Sequence, residues 1–277
     1  MAQFNMEIAV PATLPVDARS DDSDIRRLQE WLVVRGIGVG ENGNAAPGSA
    51  AAIGIDGDFG PSTEAGCATF ADAAGLPRIV NASFWQALTV GMATAFAFRS
   101  AGPNVGDAVI ETARAHLIQR PLEARRLIDG GLKGRDNSGP WVRAYCHGIS
   151  DQWCQGAASQ WVKQAFDALG RPLPFPLDGP GIAPLYVPSI VGSARRSGRF
   201  VLGASASPVP AGSFFFVRGT IDGQPSHIHV GVTIAPIRPD GRFDTIEGNT
   251  NTDGSQNGWE VCQRTRWRTT CDFAVLA

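Results

Sequence analysis

Residues 153–170 read WCQGAASQWVKQAFDALG, a run with the character of a helix that opens at Cys154, directly after Trp153. The N-terminus of a helix and a neighbouring imidazole both favour thiolate over thiol, and the thiolate is the form that attacks a carbonyl. Downstream stand HIHVGV, from His227 to Val232, and IEGNTN, from Ile246 to Asn251, both in strand-like surroundings. A lone cysteine on a helix is more often a packed thiol than a reactive one. The order Cys, His, Glu, Asn, with a strand context for each of the last three, sets Cys154 apart from that background. Cys146 has no such companions and reads as a packing residue.

The chain has 277 residues, long for one domain and comfortable for two, and 43% of them are hydrophobic, as in an ordinary globular protein. A net charge of -2 provides no basic field of the kind that nucleic acid selects. No segment approaches the roughly 18 continuous apolar residues needed to cross a bilayer, so no membrane insertion is expected. The first residues, MAQFNMEIAVPATLPVDARSDDS, lack a charged segment followed by an apolar one. That predicts a chain made in the cytoplasm without a signal peptide.

Five cysteines leave at least one thiol unpaired, and Cys154 is the one expected to be free. Neither Cys146 with Cys154 nor Cys262 with Cys271 has the spacing of zinc ligands, and no metal is expected. Cys262 and Cys271 flank QRTRWRTT and look like opposed positions on a terminal hairpin. Such a pair is able to form a disulfide in an oxidising compartment, and the sequence leaves that bond open.

A first unit is predicted between residues 21 and 92, after an extension of residues 1–20. In SDIRRLQEWLVVRG, Ile25, Leu28, Leu32 and Val33 recur at helical spacing. Asp21, Asp22, Ser23 and Asp24 suit the start of that helix, and Gly36 suits its end. A loop rich in Gly, Ala and Asn runs from Gly38 to Ala52, before IGIDGDFGPSTEAGCATFADAAGL and NASFWQAL. In the turn Asp56-Gly57-Asp58-Phe59-Gly60-Pro61, Asp-Gly permits positive φ and Pro61 suits the first turn of the next helix. This part resembles the three-helix peptidoglycan-binding domain. The resemblance is carried by Leu28, Gln29 and Leu32, by Asp56 to Pro61 with Thr63, by Phe70, Gly75 and Leu76, and by Trp85 and Leu88. It departs at Ala71, where the family usually has Gln. It implies a small all-α domain that binds glycan through the turn, with Asp56, Asp58, Phe59 and Thr63 as candidate contacts.

Residues 93–106 read as a linker, and residues 107–277 as the catalytic part. DAVIETARAHLIQR opens it as an amphipathic helix with Val109, Ala113 and Leu117 on one face; His116 on it reads as surface or packing. Asp136-Asn137-Ser138-Gly139-Pro140-Trp141-Val142 and Trp153-Cys154-Gln155-Gly156 resemble the paired stretches of the CHAP family of cysteine amidases and peptidases. PVPAGSFFFVRG, HVGV and EGNTN continue the match in order over about 140 residues, with Ser213 where the family usually has Asp. The resemblance implies an α+β chain: a papain-like domain of helices packed on an antiparallel sheet, following a small all-α domain.

The resemblance also implies roles. Cys154 is the nucleophile, and His229, which precedes Val-Gly-Val, is the base. His227 is its rival, because on a regular strand the two share a face. Glu247 orients the imidazole, and Asn249, two residues on, either orients the ring or lines the site. Gln152 and the Cys154 amide are candidate oxyanion donors. No cofactor is required, and only Asp151 stands close before Cys154, so no calcium site is expected. The activity implied is cleavage of a peptidoglycan amide, either between muramic acid and L-Ala or within the peptide. A catalytically inactive wall-binding protein and an amidase acting on a small peptide-like amide are the alternatives. Phage endolysins released by a holin and secreted antibacterial effectors share this arrangement of parts. The expected partners are therefore bacterial peptidoglycan and, for an effector, an immunity protein or secretion machinery, with a monomer working in the periplasm or cell wall.

Overall fold

The structure is a computed structural model that describes residues 3–37, 53–124, 137–252 and 258–277. The Gly38 to Ala52 loop and Asp136 lie outside the described residues. The chain is α+β and divides into two compact units. One comprises Met1–Thr94 with Pro121–Asp151, the other Ala95–Arg120 with Gln152–Ala277.

The first unit is helical: α1 (Gln3–Ile8), α2 (Asp22–Val34), α3 (Pro61–Ala74), the greater part of α4 (Ala82–Ala97), and α6 (Pro140–Tyr145). Helix α2 starts after Asp21, and its period buries Ile25, Leu28, Leu32 and Val33. Pro61 opens α3, and Gly75, with φ of 67°, closes it in the left-handed conformation that glycine adopts without a Cβ penalty. Phe70 and Phe84 meet edge to face at 5.0 Å over a core that includes Leu28, Trp85 and Leu88. Residues 4–20 belong to this packing. Trp31 donates from Nε1 to the Glu7 carbonyl, Val16 is buried, and its amide donates to the Val80 carbonyl. Arg143 on α6 forks onto Glu7 of α1 (2.8 and 2.9 Å) and Glu30 of α2 (2.6 and 3.0 Å), so the Gly-Pro-Trp segment is tied to the same helices.

The second unit carries α5 (Val105–Ile118), α7 (Cys154–Ala168), α8 (Val187–Arg196) and a six-stranded antiparallel sheet. The strands are β1 (Phe200–Val201), β2 (Phe214–Ile221), β3 (Gln224–Thr233), β4 (Arg242–Thr250), β5 (Glu260–Trp267) and β6 (Cys271–Ala274), in the spatial order β1-β6-β2-β3-β4-β5. Residues 93–106, expected as a linker, are helical up to Ala97 and again from Val105. Asp222 and Gly223 turn β2 into β3, both at positive φ, the geometry a two-residue hairpin needs. Phe214, Phe215 and Phe216 are all fully buried, so both faces of β2 are covered. On one face Phe215, Phe243 and Phe273 pack edge to face at 5.7 and 5.2 Å, with Val209, Val217 and Cys271 around them. Such pairs contribute about 0.5–1.5 kcal/mol each beyond their burial. Helix α5 packs on α7, and α7 packs on β3 and β4. Buried His116 joins α5 to α7 through Gln164 Oε1 at 3.2 Å, and burial, opposed by that hydrogen bond, pushes it down to about 4.

The terminal hairpin expected around Cys262 and Cys271 does not form. Three strands, β2, β3 and β4, separate β6 from β5, which at strand spacing is about 19 Å, far beyond disulfide reach. Both thiols are free and buried, and burial pushes Cys262 up to about 12 and Cys271 up to about 11. The local run of strand-like residues was legible; its pairing partners were not.

Candidate active site

Cys154 is the first residue of the fifteen-residue α7, and the Ala157 amide donates to the Trp153 carbonyl to close the first turn. The side chain of the N-cap residue, Trp153, makes no capping hydrogen bond. The thiol therefore sits where unsatisfied backbone amides and the helix dipole favour negative charge. Gly248 on β4 faces this turn: a Cβ there would lie 2.8 Å from that of Ala157 and 3.0 Å from the Trp153 ring. Only glycine allows the strand so close, and the fit brings Glu247 and Asn249 alongside the start of α7.

His229 is fully buried on β3, and Gly231, two residues on, lies opposite Glu247 of β4. Its Nε2 is 2.9 Å from Glu247 Oε2. Glu247 has no exposed surface and is held from three further directions. Arg266 of β5 donates from Nε to Oε1 at 2.8 Å and from Nη2 to Oε2 at 2.5 Å, and Thr245 donates to Oε1 at 2.6 Å. Burial raises the Glu247 carboxyl, but the Arg266 and His229 bonds outweigh it and hold the group well below the usual carboxylate range. An ionised Glu247 accepts only, so the imidazole proton resides on Nε2 and the Nδ1 lone pair is left for the thiol.

Nδ1 is buried without a hydrogen-bond partner, and the Cys154 side chain is near enough to His229 to favour its protonated form. Burial opposes protonation of His229; the Cys154 charge and hydrogen bonding, then Glu247, overcome it and push the imidazole up to about 9. Loose contacts of this sort commonly tighten only when substrate is bound. The group can take a proton from a thiol, hold an imidazolium against a thiolate, and return the proton to a leaving amine.

His227 does not share the face of His229. Val217 pairs with His229 and Arg218 with His227, so the pairing slips by one at Ile228. A bulge of that kind reverses the parity of everything beyond it. His227 instead meets Asp272 Oδ2 at 2.9 Å, with Phe200 and Phe216 edge-on to its ring. Two-residue spacing predicts a shared face; the bulge is the physical reason the two histidines differ.

The remaining expected residues fall as follows. Asn249 is buried at a left-handed φ of 55° within a second irregularity, between Glu247 and Thr250, and its Oδ1 has no partner. It is Glu247, not Asn249, that holds Nε2. Gln152 is exposed, whereas Gln155, in the first turn of α7, is 2% exposed with an unpartnered Oε1. Ser213 donates its hydroxyl to the Pro210 carbonyl at 2.8 Å, bracing the turn before β2 where an aspartate was expected.

In the first unit, Gln29 Nε2 donates to Asp56 Oδ1 (2.9 Å), the Asp58 carbonyl (2.9 Å) and Thr63 Oγ1 (3.1 Å). Its Oε1 accepts the Asp56 and Gly57 amides. Thr63 is buried, Phe59 is half-buried, and Asp56 and Asp58 are exposed. The Asp58 amide and then Gln29 hold the Asp56 carboxyl below its ordinary value. These four residues thus build the turn, and Asp58 has the freest side chain.

Arg266 and Thr245 were missed in the sequence; alternating arginines at 264, 266 and 268 were the available signal, with nothing local to tie one of them to Glu247. No protein-family model, curated protein or solved structure matches this chain.

Proposed function

We propose that the chain is a cysteine-dependent peptidoglycan hydrolase that cuts an amide bond of the stem peptide, and that its second unit is a papain-like domain of the CHAP type. The observation that carries this reading is Cys154 at the first turn of α7, coupled to a buried His229 whose other nitrogen is fixed by Glu247. In the reaction proposed, the Cys154 thiolate attacks the amide carbonyl carbon, and the carbonyl π electrons pass to oxygen. The amides at the start of α7 face the resulting oxyanion. The oxyanion collapses, the C–N bond breaks, and the amine leaves with the proton from His229 Nδ1. Neutral His229 then takes a proton from water, whose oxygen attacks the thioester. That intermediate collapses to a carboxylic acid and regenerates the thiol pair. Glu247 stays ionised throughout and, with Arg266, holds the ring's angle.

The first unit is proposed to hold the enzyme to the insoluble wall, which raises the local concentration of bonds without altering the chemistry. Its support is the order of α2, the Asp56 to Pro61 turn, α3 and α4. The proposed setting is the periplasm or cell wall, reached by holin release or by effector delivery. A second reading, an amidase for a soluble peptide-like amide, is favoured by one observation: Gln29 occupies most of the turn's polar atoms. Mass spectrometry of muropeptides from purified sacculi, digested by the wild-type chain and by Cys154→Ala, tests the proposal. New amine and carboxyl ends are expected with the wild-type chain alone. Equal release by both proteins overturns it. Hydrolysis of soluble peptide with no retention on sacculi favours the second reading.

A further inference from the structure

The histidine that the proposed reaction leaves unused lines a surface cleft of about 440 Å³ in the second unit. His227 and Asp272 form one end of it, Arg218 of β2 and Arg195 of α8 stand beside them, and Val191 and Pro225 contribute apolar wall. Asp272 is 2% exposed and already satisfied: His227 Nε2 lies at 2.9 Å, and the Gly203 amide donates to Oδ1 at 2.7 Å. Arg218 approaches that carboxylate only to 3.8 Å and donates its Nη2 to the Thr269 carbonyl, leaving a side chain 41% exposed. The Arg195 Cζ lies 4.3 Å from the centroid of the Phe200 ring, and among the described residues Arg195 has no carboxylate partner. Of the two guanidiniums only Arg218 approaches a carboxylate, and that carboxylate is buried and otherwise engaged, so the mouth of the cleft carries surplus positive charge beside apolar wall.

We propose that this cleft is a binding site for an organic carboxylate about the size of a dipeptide, its carboxylate held by Arg195 and Arg218 and its apolar part lying on Val191 and Pro225. Planar guanidiniums suit a carboxylate because they present paired donors in a matching geometry. The volume is in the range of small-molecule sites and well above that of a bare anion. The site lies on the opposite parity of β3 from His229, and binding there is independent of hydrolysis.

The test is nuclear magnetic resonance titration of the full chain carrying Cys154→Ala, which removes turnover. The probes are N-acetyl-alanyl-alanine, the same peptide with its C-terminus amidated, and inorganic phosphate; the readout is the amides of Gly192, Gly219 and Ser226. Saturable shifts are expected with the free carboxylate. They should weaken at least about tenfold with the amidated peptide and in Arg195→Gln with Arg218→Gln, since each removes charge-assisted bonds. Arg195 is exposed, so Arg195→Gln alone provides a variant that folds, with an intermediate loss expected. The proposal is overturned by absence of saturable shifts, by equal binding of acid and amide, by unchanged binding in the variants, or by a response to phosphate alone. Failure here leaves the hydrolysis at Cys154 untouched, and failure of that reaction leaves this binding untouched.

Discussion

His229 and His227 stand two residues apart on β3, each with a carboxylate at 2.9 Å and an arginine beyond it. Their surroundings differ. Glu247 is fully buried and gripped by both arms of Arg266, and His229 lies within electrostatic reach of a thiol at a helix start. Asp272 has its arginine at 3.8 Å, and His227 opens onto a solvent-facing cleft. A histidine paired with a carboxylate is therefore not in itself a catalytic unit. What meets the second ring nitrogen decides the chemistry, and a one-residue bulge at Ile228 decides what that is.

The largest separation between the two sites is expected in turnover. If the proposed hydrolysis holds, His229→Ala should lower kcat on peptidoglycan by about 10³-fold or more, as loss of the base does in nucleophile–histidine enzymes. His227→Ala should stay within about threefold, read as amine released per minute. Comparable losses in both variants would erase the distinction.

Stability provides the next contrast. Arg266→Ala strands a buried, ionised Glu247, and removing one partner of a buried pair costs about 3–5 kcal/mol. Arg218→Ala removes a half-exposed, distant partner of Asp272 and should cost no more than about 1 kcal/mol. Urea unfolding midpoints compare them, and equal midpoints would mean that the Arg266 fork contributes nothing special.

The smallest effect lies in pH dependence. Because His229 is pushed up to about 9, its imidazolium persists below that pH and is lost as pH rises through it. The proton needed by the leaving amine goes with it, so kcat should decline above about pH 9. His227→Ala should leave that limb in place; a limb that moves with His227 would reassign the base.

Local features of this arrangement were legible in the sequence. Ile25, Leu28, Leu32 and Val33 report their helix because helical period is a property of neighbours in the chain. Cys154 reports the start of α7, and HIHVGV reports a strand, for the same reason. The long-range features were not legible. The face of His227 depends on how β3 pairs with β2, the Arg266 fork on how β5 pairs with β4, and the separation of Cys262 from Cys271 on three strands placed between them. Residues 1–20 read as an extension because Trp31, Arg143 and Val80, which hold Glu7 and Val16, lie far along the chain. Glu247 was found through its place in a motif, whereas the four hydrogen bonds that keep it ionised come from three strands.

The pairing of Cys154 with His229 can be read without any substrate, from the rate at which iodoacetamide alkylates Cys154 at pH 7 in the wild-type chain, His229→Ala and His227→Ala, followed by peptide mass spectrometry. The wild-type chain and His227→Ala should react at the same rate, and His229→Ala at least about tenfold more slowly, because the imidazole is what favours thiolate over thiol. A slow His227→Ala beside an unaffected His229→Ala would contradict the assignment outright.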